Sequence, residues 1–228
     1  MMISVDDSFA DLAVVRLTGV LTLATAPRVC ETLTQCIAEQ PAAVIADLRF
    51  AQVEHPQLLN VFSVVARRAA LWSGVQLVLV SGAALQGRLR FPARALSRFV
   101  RIYPTMTIAR SATRRAPLRR LAAKILPPTE LSAHTARTYV ADVCSTWGCA
   151  PLAPEAALIA ADLVHTAAQH CTHDLVLRLE LRQDLLTVAL TSDAEAPLPR
   201  VTDLTHASGS STTRNADHIT WTVLRAPG

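Results

Sequence analysis

The stretch "AAVIADLRFAQVEHPQLLNVFSVVARRAALWSGVQLVLVSG" (residues 42–82) decides the fold of the first half of the chain. It begins with a short apolar run that ends at Asp47 and closes with another over 75–82, and such continuous runs are typical of buried strands. Residues 56–74, between them, begin with a proline and end at a glycine, which predicts a helix. A strand, a helix and a strand in this order predict a crossover between parallel strands.

The segments on either side continue the pattern. Residues 12–23 alternate and are rich in β-branched side chains, which predicts two strands around a turn at Gly19. Residues 26–40 carry apolar residues at helical spacing after an early proline, which predicts a helix. Residues 95–112 are predicted to hold a short helix, a strand near Val100–Tyr103 and a further helical turn. This alternation favours an α/β fold with a parallel or mixed sheet and helices.

A basic stretch separates two predicted domains, residues 1–112 and 129–228. The segment "ARSATRRAPLRRLAAK" (109–124) holds many basic residues and no acidic one, although the net charge of the chain is only +4. We favour a solvated linker over 113–128, because no aromatic residue is interleaved and no DNA-reading motif follows. A nucleic-acid-binding arm is the alternative interpretation.

The second domain is predicted to combine two helices with an antiparallel sheet. Its predicted elements are helices over 130–148 and 153–171, a hairpin over 174–192 that turns at Gln183-Asp184, and a strand over 218–224. The Ser/Thr-rich residues 200–217 are predicted to be loop or disorder. Two helices before a meander favour an α+β fold, here a two-layer α/β sandwich.

Both domains resemble known families. Residues 8–112 resemble the STAS domain of anti-sigma factor antagonists, through "VVRLTGVL" with its Gly19, "VIADL" ending in Asp47, the 56–74 helix and "RIYPTMTIA". Residues 126–224 resemble the histidine-kinase-type ATPase of anti-sigma serine kinases, through "ARTYVADVCSTWG", "LIAADLVHTAAQH", the hairpin and "ITWTVL" in the family's order. The resemblance implies an antagonist-like domain fused to a truncated ATPase-like domain.

The resemblance places a phospho-acceptor turn, Asp-Ser-Ser/Thr-Gly-Leu, after the "VIADL" strand. Laid on this sequence without gaps, the turn becomes His55-Pro56-Gln57-Leu58-Leu59. Pro56 and Gln57 have no hydroxyl that a kinase could phosphorylate, and Ser63 lies about two helical turns further on. We interpret His55 as a loop histidine in preference to a phosphorylated or pH-sensing one. The loop formed by His55, Pro56 and Gln57 is therefore predicted to be a degenerate acceptor.

The resemblance also assigns a nucleotide site to the second domain. Where the family has a Glu and an Asn four residues apart on one helix face, this chain has Asp162 and Thr166, with His170 one turn beyond. Asp is shorter than Glu by one methylene. Thr lacks the amide carbonyl that serves as a neutral Mg²⁺ ligand.

The adenine and phosphate ends of that site depart further from the family. Ser192 occupies the position of the adenine-binding Asp, and Asp193 comes one residue late, which in a strand is the opposite face. Gly209 alone stands between Pro199 and Trp221, where the family has a glycine-rich phosphate segment. We predict a degenerate site with no catalytic residue, and neither ATP nor Mg²⁺ as a cofactor.

Three histidines near Cys171 raise the alternative of a metal site. His165 and His170 are five residues apart and diverge around a helix, so we favour histidines that stabilise the helix end and predict no metal. The five cysteines include no CxxC pair, and no apolar stretch is long enough to cross a membrane. We therefore expect a cytoplasmic protein with reduced thiols.

The predicted function is that of a non-catalytic regulatory protein in a sigma/anti-sigma partner-switching pathway. The resemblance implies an anti-sigma factor, a STAS antagonist or a sigma factor as the protein partner. From the residues themselves we expect no membrane partner, and we disfavour nucleic acid as a partner. Two alternatives stay open. One is an active serine kinase that uses Asp162 and Thr166 to phosphorylate a STAS antagonist. The other is a sensor of a small ligand or of nucleic acid.

Overall fold

The computed structural model describes residues 1–9, 11–81, 96, 98–113, 119–198 and 203–225. The chain forms two compact units, Met1–Pro117 and Leu118–Gly228, and each is described by itself. The division between the units falls within the basic stretch.

The first unit is built on a five-stranded mixed sheet whose strands lie side by side in chain order. The strands are β1 (Met2–Phe9), β2 (Leu12–Leu21), β3 (Ala43–Val53), β4 (Gln76–Val80) and β5 (Arg101–Tyr103). The helices are α1 (Ala26–Ala38), a 3-10 helix (Pro56–Leu59), α2 (Asn60–Trp72) and α3 (Met106–Thr113). β1 is antiparallel to β2, and the other neighbours are parallel. The predicted α/β class with a mixed sheet is confirmed.

Both faces of this sheet are covered at its centre. Residues 43–48 of β3 are all buried, and successive side chains of a strand point to opposite faces. This burial explains why the segment is a continuous apolar run. Pairing between β3 and β4 ends at Asp47, whereas β3 continues alongside β2 to Val53. The side chains of Arg49 and Phe50, just beyond that point, are exposed.

Two details of the first unit differ from the prediction. β2 is one strand that passes through Gly19, whose φ of 101° suits glycine, so the predicted pair of strands around a turn is wrong. β1 was not predicted, because it is an edge strand with polar residues in its middle. The strand near Val100–Tyr103 and the helical turn after it are confirmed. The short helix predicted before them lies mostly outside the described residues.

The second unit is a two-layer sandwich of helices on an antiparallel sheet, which confirms the predicted layer arrangement. The strands are β6 (Arg120–Leu126), β7 (Leu175–Arg182), β8 (Leu185–Ser192), β9 (Thr205–Thr212) and β10 (His218–Arg225), in the spatial order β6-β7-β8-β10-β9. The helices are α4 (Glu130–Trp147), a 3-10 helix (Ala150–Leu152) and α5 (Ala153–Ala168). One core joins the layers, because the buried stripe of α5 packs with alternate residues of β7 and β8.

Two polar segments of the second unit are strands and not loops. The predicted linker, 113–128, contains β6, which pairs with β7 along its whole length. Two of its basic residues contact the fold: Arg120 Nη1 donates to the carbonyl oxygen of Trp147 at 3.0 Å, and Lys124 Nζ lies 5.2 Å from the ring centre of Tyr139. The segment 200–217, predicted as loop, contains β9, which pairs with β10. Both are edge strands, so neither shows the apolar alternation of a central strand.

Candidate functional site

A buried carboxylate marks the point where β3 leaves β4. Asp47 is fully buried, and its Oδ1 accepts from the backbone N–H of Arg49 at 3.1 Å and from Arg49 Nε at 2.9 Å. Oδ2 accepts from Arg49 Nη2 at 2.8 Å, and Arg16 Nε lies 3.8 Å away. Burial by itself raises the pKa of Asp47, but the hydrogen bonds and charge of Arg49 outweigh it and hold the pKa below its usual value. Asp47 is therefore ionised and anchors Arg49 at the surface.

Arg49 and Phe50 are surface residues that were not predicted from the sequence as part of a site. The Arg49 guanidinium carbon lies 5.5 Å from the centre of the Phe50 ring, and Phe50 is 58% exposed. Phe50 pairs with Thr18 on β2, and the exposed Val20 lies two residues further along that strand on the same side. The signal was present as "DLRF", since Asp47 and Arg49 are two residues apart in a strand and share a face.

The predicted acceptor loop lies where β3 joins the 3-10 helix. His55, Pro56 and Gln57 are all exposed, and His55 is extended with φ −131° and ψ 136°. Leu58 is buried, as is Leu59. Ser63, which carries the one hydroxyl between 55 and 63, is a buried residue of α2 with 8% exposure. The structure thus places residues without hydroxyls at the surface and the hydroxyl in the interior.

Helix α5 carries the predicted nucleotide residues beside its buried stripe. The buried stripe consists of Ile159, Leu163 and Ala167, which pack against the sheet. Asp162 and Thr166 lie next to this stripe and are partly exposed. The helix keeps Asp162 and Thr166 on one face, as predicted from their spacing.

The end of α5 differs from the prediction. The helix ends at Ala168 and not at residue 171, so His170 follows the helix instead of extending its face. His170 is exposed, and its backbone N–H donates to the carbonyl oxygen of Ala167 at 3.0 Å. The exposed His165 ring lies 3.2 Å from the Gln169 amide nitrogen. The histidines of this stretch therefore do not converge.

Asp193 joins the end of β8 to the loop after α5. Its Oδ2 accepts from His173 Nδ1 at 2.7 Å, from Thr172 Oγ1 at 2.8 Å, and from the backbone N–H groups of Thr172 and His173 at 3.1 and 3.3 Å. The hydrogen bond from His173, followed by those from Cys171 and Thr172, holds the pKa of Asp193 well below its usual value. We call these residues, Asp193, Thr172 and His173, the Asp193 tie.

The other two predicted nucleotide positions also have partners in the fold. Ser192 is buried, and its hydroxyl donates to the carbonyl oxygen of Ala194 at 2.8 Å. Gly209 lies in the middle of β9 opposite Trp221 of β10. A Cβ on Gly209 would approach Trp221 Cζ2 to 2.7 Å, so a glycine is needed there for the indole to pack across β9.

Histidine, cysteine and carboxylate side chains elsewhere in the fold are the usual metal ligands and catalytic groups. Across the described ranges, no group of three or more His, Cys, Asp or Glu side chains is placed to hold a metal ion. Burial, with smaller contributions from Cys149, raises the pKa of the Cys144 thiol to about 12. Glu180 of β7 is 3% exposed, with Oε2 3.8 Å from Arg119 Nη1. Its burial raises the pKa to about 7 despite the opposing charges of Arg119, Arg182 and Arg178.

Comparisons with known proteins bear on half of the chain. No family model and no curated protein matches it. Among solved structures, an anti-sigma factor antagonist from Mycobacterium paratuberculosis is 22% identical, with a TM-score of 0.41, over 50% of this chain and 93% of that one. The NMR structure of the protein TM1081 is 17% identical, with a TM-score of 0.40, over 50% of this chain and 87% of that one. Unphosphorylated SpoIIAA, an anti-sigma factor antagonist, is 13% identical, with a TM-score of 0.37, over 50% of this chain and 99% of that one.

No described helix is both long and apolar enough to cross a membrane. The similarity to solved antagonists concerns the N-terminal half, and the ATPase-like character of the C-terminal half stays a prediction from its sequence.

Proposed function

We propose that this chain is a non-catalytic regulatory protein that binds other proteins in a sigma/anti-sigma partner-switching pathway and uses neither ATP nor Mg²⁺. The sequence resemblance of both halves supplies the class of partner: an anti-sigma factor, a STAS antagonist or a sigma factor. The geometry of the candidate residues supports the absence of phosphoryl transfer.

One observation carries the proposal: groups that the resemblance would give to a nucleotide are occupied within the fold. Asp193 Oδ2 accepts four hydrogen bonds from Thr172 and His173, so binding an adenine amino group would compete with the loop after α5. The Ser192 hydroxyl donates to Ala194. Gly209 faces the Trp221 indole, which leaves no concave backbone for phosphates there.

The acceptor side of the reaction is equally disfavoured. His55, Pro56 and Gln57 present no hydroxyl at the surface. Ser63 is buried in α2, so a kinase could reach its hydroxyl only if α2 unpacked. A phosphate carries nearly two negative charges, and burying these charges away from water would be costly.

The end of the β2–β3 ribbon supports a protein-binding role. Phe50 and Val20 expose 58% and 42% of their surface on one side of the ribbon, and the Asp47-anchored Arg49 lies beside them. Exposed apolar groups of this kind mark protein contacts, and aromatic and arginine side chains contribute strongly to binding.

The test combines a nucleotide titration with a partner capture. Calorimetry with ATP and Mg²⁺ is expected to show no heat of binding for the wild-type chain; a micromolar, Mg²⁺-dependent affinity that Asp162→Ala removes would instead establish the kinase alternative. In captures from native cell extract, Phe50→Ala is expected to lose a sigma, anti-sigma or antagonist protein. Leu131→Ala, which changes a residue that is 79% exposed in the other unit, is expected to keep it. Equal capture by both variants would contradict the role of Phe50.

A further inference from the structure

The two edges of the second sheet differ in how they are protected. β6, at one edge, carries Arg120 and Lys124, and charges of this kind discourage a further strand from adding to an edge. β9, at the other edge, has the sequence "THASGSST", which contains no Lys, Arg, Asp, Glu or Pro. Of the strands that the structure describes, β10 alone pairs with β9. Within the described ranges, β9 therefore has an outer edge without the usual protection.

The hairpin that joins β9 to β10 shows which backbone groups face outward. The N–H of Thr213 donates to the carbonyl oxygen of Asp217 at 2.9 Å, next to the paired residues Thr212 and His218. Because bonded and non-bonded pairs alternate in an antiparallel ladder, Ser211 and Gly209 direct their N–H and C=O groups toward β10. The backbone groups of Ser208, Ser210 and Thr212 then point to the free edge.

We propose that β9 pairs with β9 of a second copy of the chain, antiparallel and across a two-fold axis. The outward groups of Ser208, Ser210 and Thr212 form the new hydrogen bonds, and two five-stranded sheets become one ten-stranded sheet. A two-fold axis makes the interface self-complementary, so Ser and Thr side chains lie opposite Ser and Thr side chains.

The chemistry of β9 favours a second copy over another peptide. β9 has no Lys, Arg, Asp or Glu, and its side chains are small apart from His206, so the pairing of two copies brings no such charges together and offers none that would select a different sequence. The same pairing at β6 would bring Arg120 and Lys124 of two copies together, and like charges across a strand pair are destabilising. The inference does not rest on the proposed function.

The decisive variant is Ser210→Pro, with Ser210→Ala as its matched control. Proline removes an N–H that faces the free edge and leaves the β9–β10 ladder its bonds, whereas alanine keeps the N–H. The experiment is sedimentation equilibrium under reducing conditions. The apparent mass of the wild type and of Ser210→Ala is expected to increase with protein concentration from 24.6 kDa toward twice that value. Ser210→Pro is expected to stay near 24.6 kDa. A wild type that is monomeric at every concentration, or an equally dimeric Ser210→Pro, overturns the proposal.

Two further measurements keep the test decisive if Ser210→Pro fails to fold. Ser210→Lys puts a charge on an exposed edge position and is expected to reduce dimerisation while its circular dichroism matches wild type. In the wild type, amide exchange at Ser208, Ser210 and Thr212 is expected to slow as the protein is concentrated. The proposal is overturned if Ser210→Lys dimerises with the same affinity as the wild type. It is also overturned if exchange at these three amides does not depend on protein concentration.

Discussion

Replacing Gly209 by larger residues tests whether this glycine is there for packing. Gly209 lies in strand β9, and an added Cβ would meet Trp221 Cζ2 at 2.7 Å, with two more indole atoms at 3.2 Å. Trp221 is 7% exposed, so the indole has little room to move away. Gly148, after α4, is the natural comparison: its φ is +73°, and a Cβ added there would meet no atom within 4 Å.

The two glycines are expected to respond differently to side-chain size. Overpacking costs about 1–3 kcal/mol, and replacing a strand glycine by alanine regains about 0.5–1 kcal/mol, so Gly209→Ala should lower the free energy of unfolding by roughly 0–2.5 kcal/mol. Gly209→Leu should cost more, because each further atom must displace the indole. Gly148→Ala should cost about 1–2 kcal/mol for its left-handed backbone, and Gly148→Leu about the same, since the space is open.

Urea unfolding, monitored by circular dichroism, measures the free energy of unfolding of the Gly209 and Gly148 variants. Amide exchange in β10 reports on the local effect beside Trp221. Trp221→Leu is expected to reduce the cost of Gly209→Ala, because it removes the atoms that the new Cβ meets. The reasoning is refuted if Gly209→Leu costs no more than Gly209→Ala, or if Trp221→Leu gives no rescue.

Two pH-dependent predictions follow from the ionisable groups of the same unit. Because the pKa of Asp193 is held below its ordinary value of about 3.9, the Asp193 tie stabilises the unit above that pH and is lost as pH falls through the folded-state pKa. The melting temperature of Asp193→Asn should change less between pH 5 and pH 2 than that of the wild type. An equal change of melting temperature with pH in both proteins would contradict a stabilising role for the Asp193 tie. Burial raises the pKa of Glu180 to about 7 from an ordinary value of about 4.3, so stability should fall as pH rises through this window. Glu180→Gln should remove that fall in urea unfolding at pH 5 and pH 8; equal losses in both proteins would show that Glu180 is not the cause.

The central elements of both units were predictable from the sequence because burial leaves a pattern. The continuous apolar run of 43–48 and the apolar stripe Ile159, Leu163 and Ala167 correspond to buried surfaces. The hairpin turn at Gln183-Asp184 is confirmed, with Gln183 at φ 56° between β7 and β8. The strand and the helix each bury a face, which must therefore be apolar and leaves a periodic pattern in the sequence. The hairpin turn is decided locally by the residues of the turn itself.

Three of the four edge strands, β1, β6 and β9, were not predictable in the same way. β1, β6 and β9 gain backbone hydrogen bonds from one neighbour, and much of their side-chain surface meets solvent. Charged and Ser/Thr-rich sequences are compatible with that environment, so composition predicted a linker over 113–128 and a loop over 200–217. An edge strand is specified by the strand beside it, which a local pattern does not contain.

In the candidate site, a contact between residues close in sequence was predictable, and a contact between residues distant in sequence was not. Asp47 and Arg49 are close in sequence, so their ion pair was within reach of the alternation rule. Asp193, in contrast, binds Thr172 and His173, about twenty residues earlier, and no spacing rule connects them. The hydrophobic alternation indicated the strand, and only the fold shows which loop meets its end.

A polar residue at the end of an element has a structural reason to be there whether or not a ligand is bound. Backbone N–H groups in the loop after a helix need acceptors, and Asp193 supplies one to Thr172 and to His173. The loop alone thus explains the identity of Asp193, whose Oδ2 an adenine amino group would have to share with the N–H groups of Thr172 and His173. The informative positions are polar side chains that the fold does not use. Asp162 and Thr166 are partly exposed, and within the described residues the structure shows no side-chain hydrogen bond for either. The nucleotide titration therefore uses Asp162→Ala and not a substitution in the Asp193 tie.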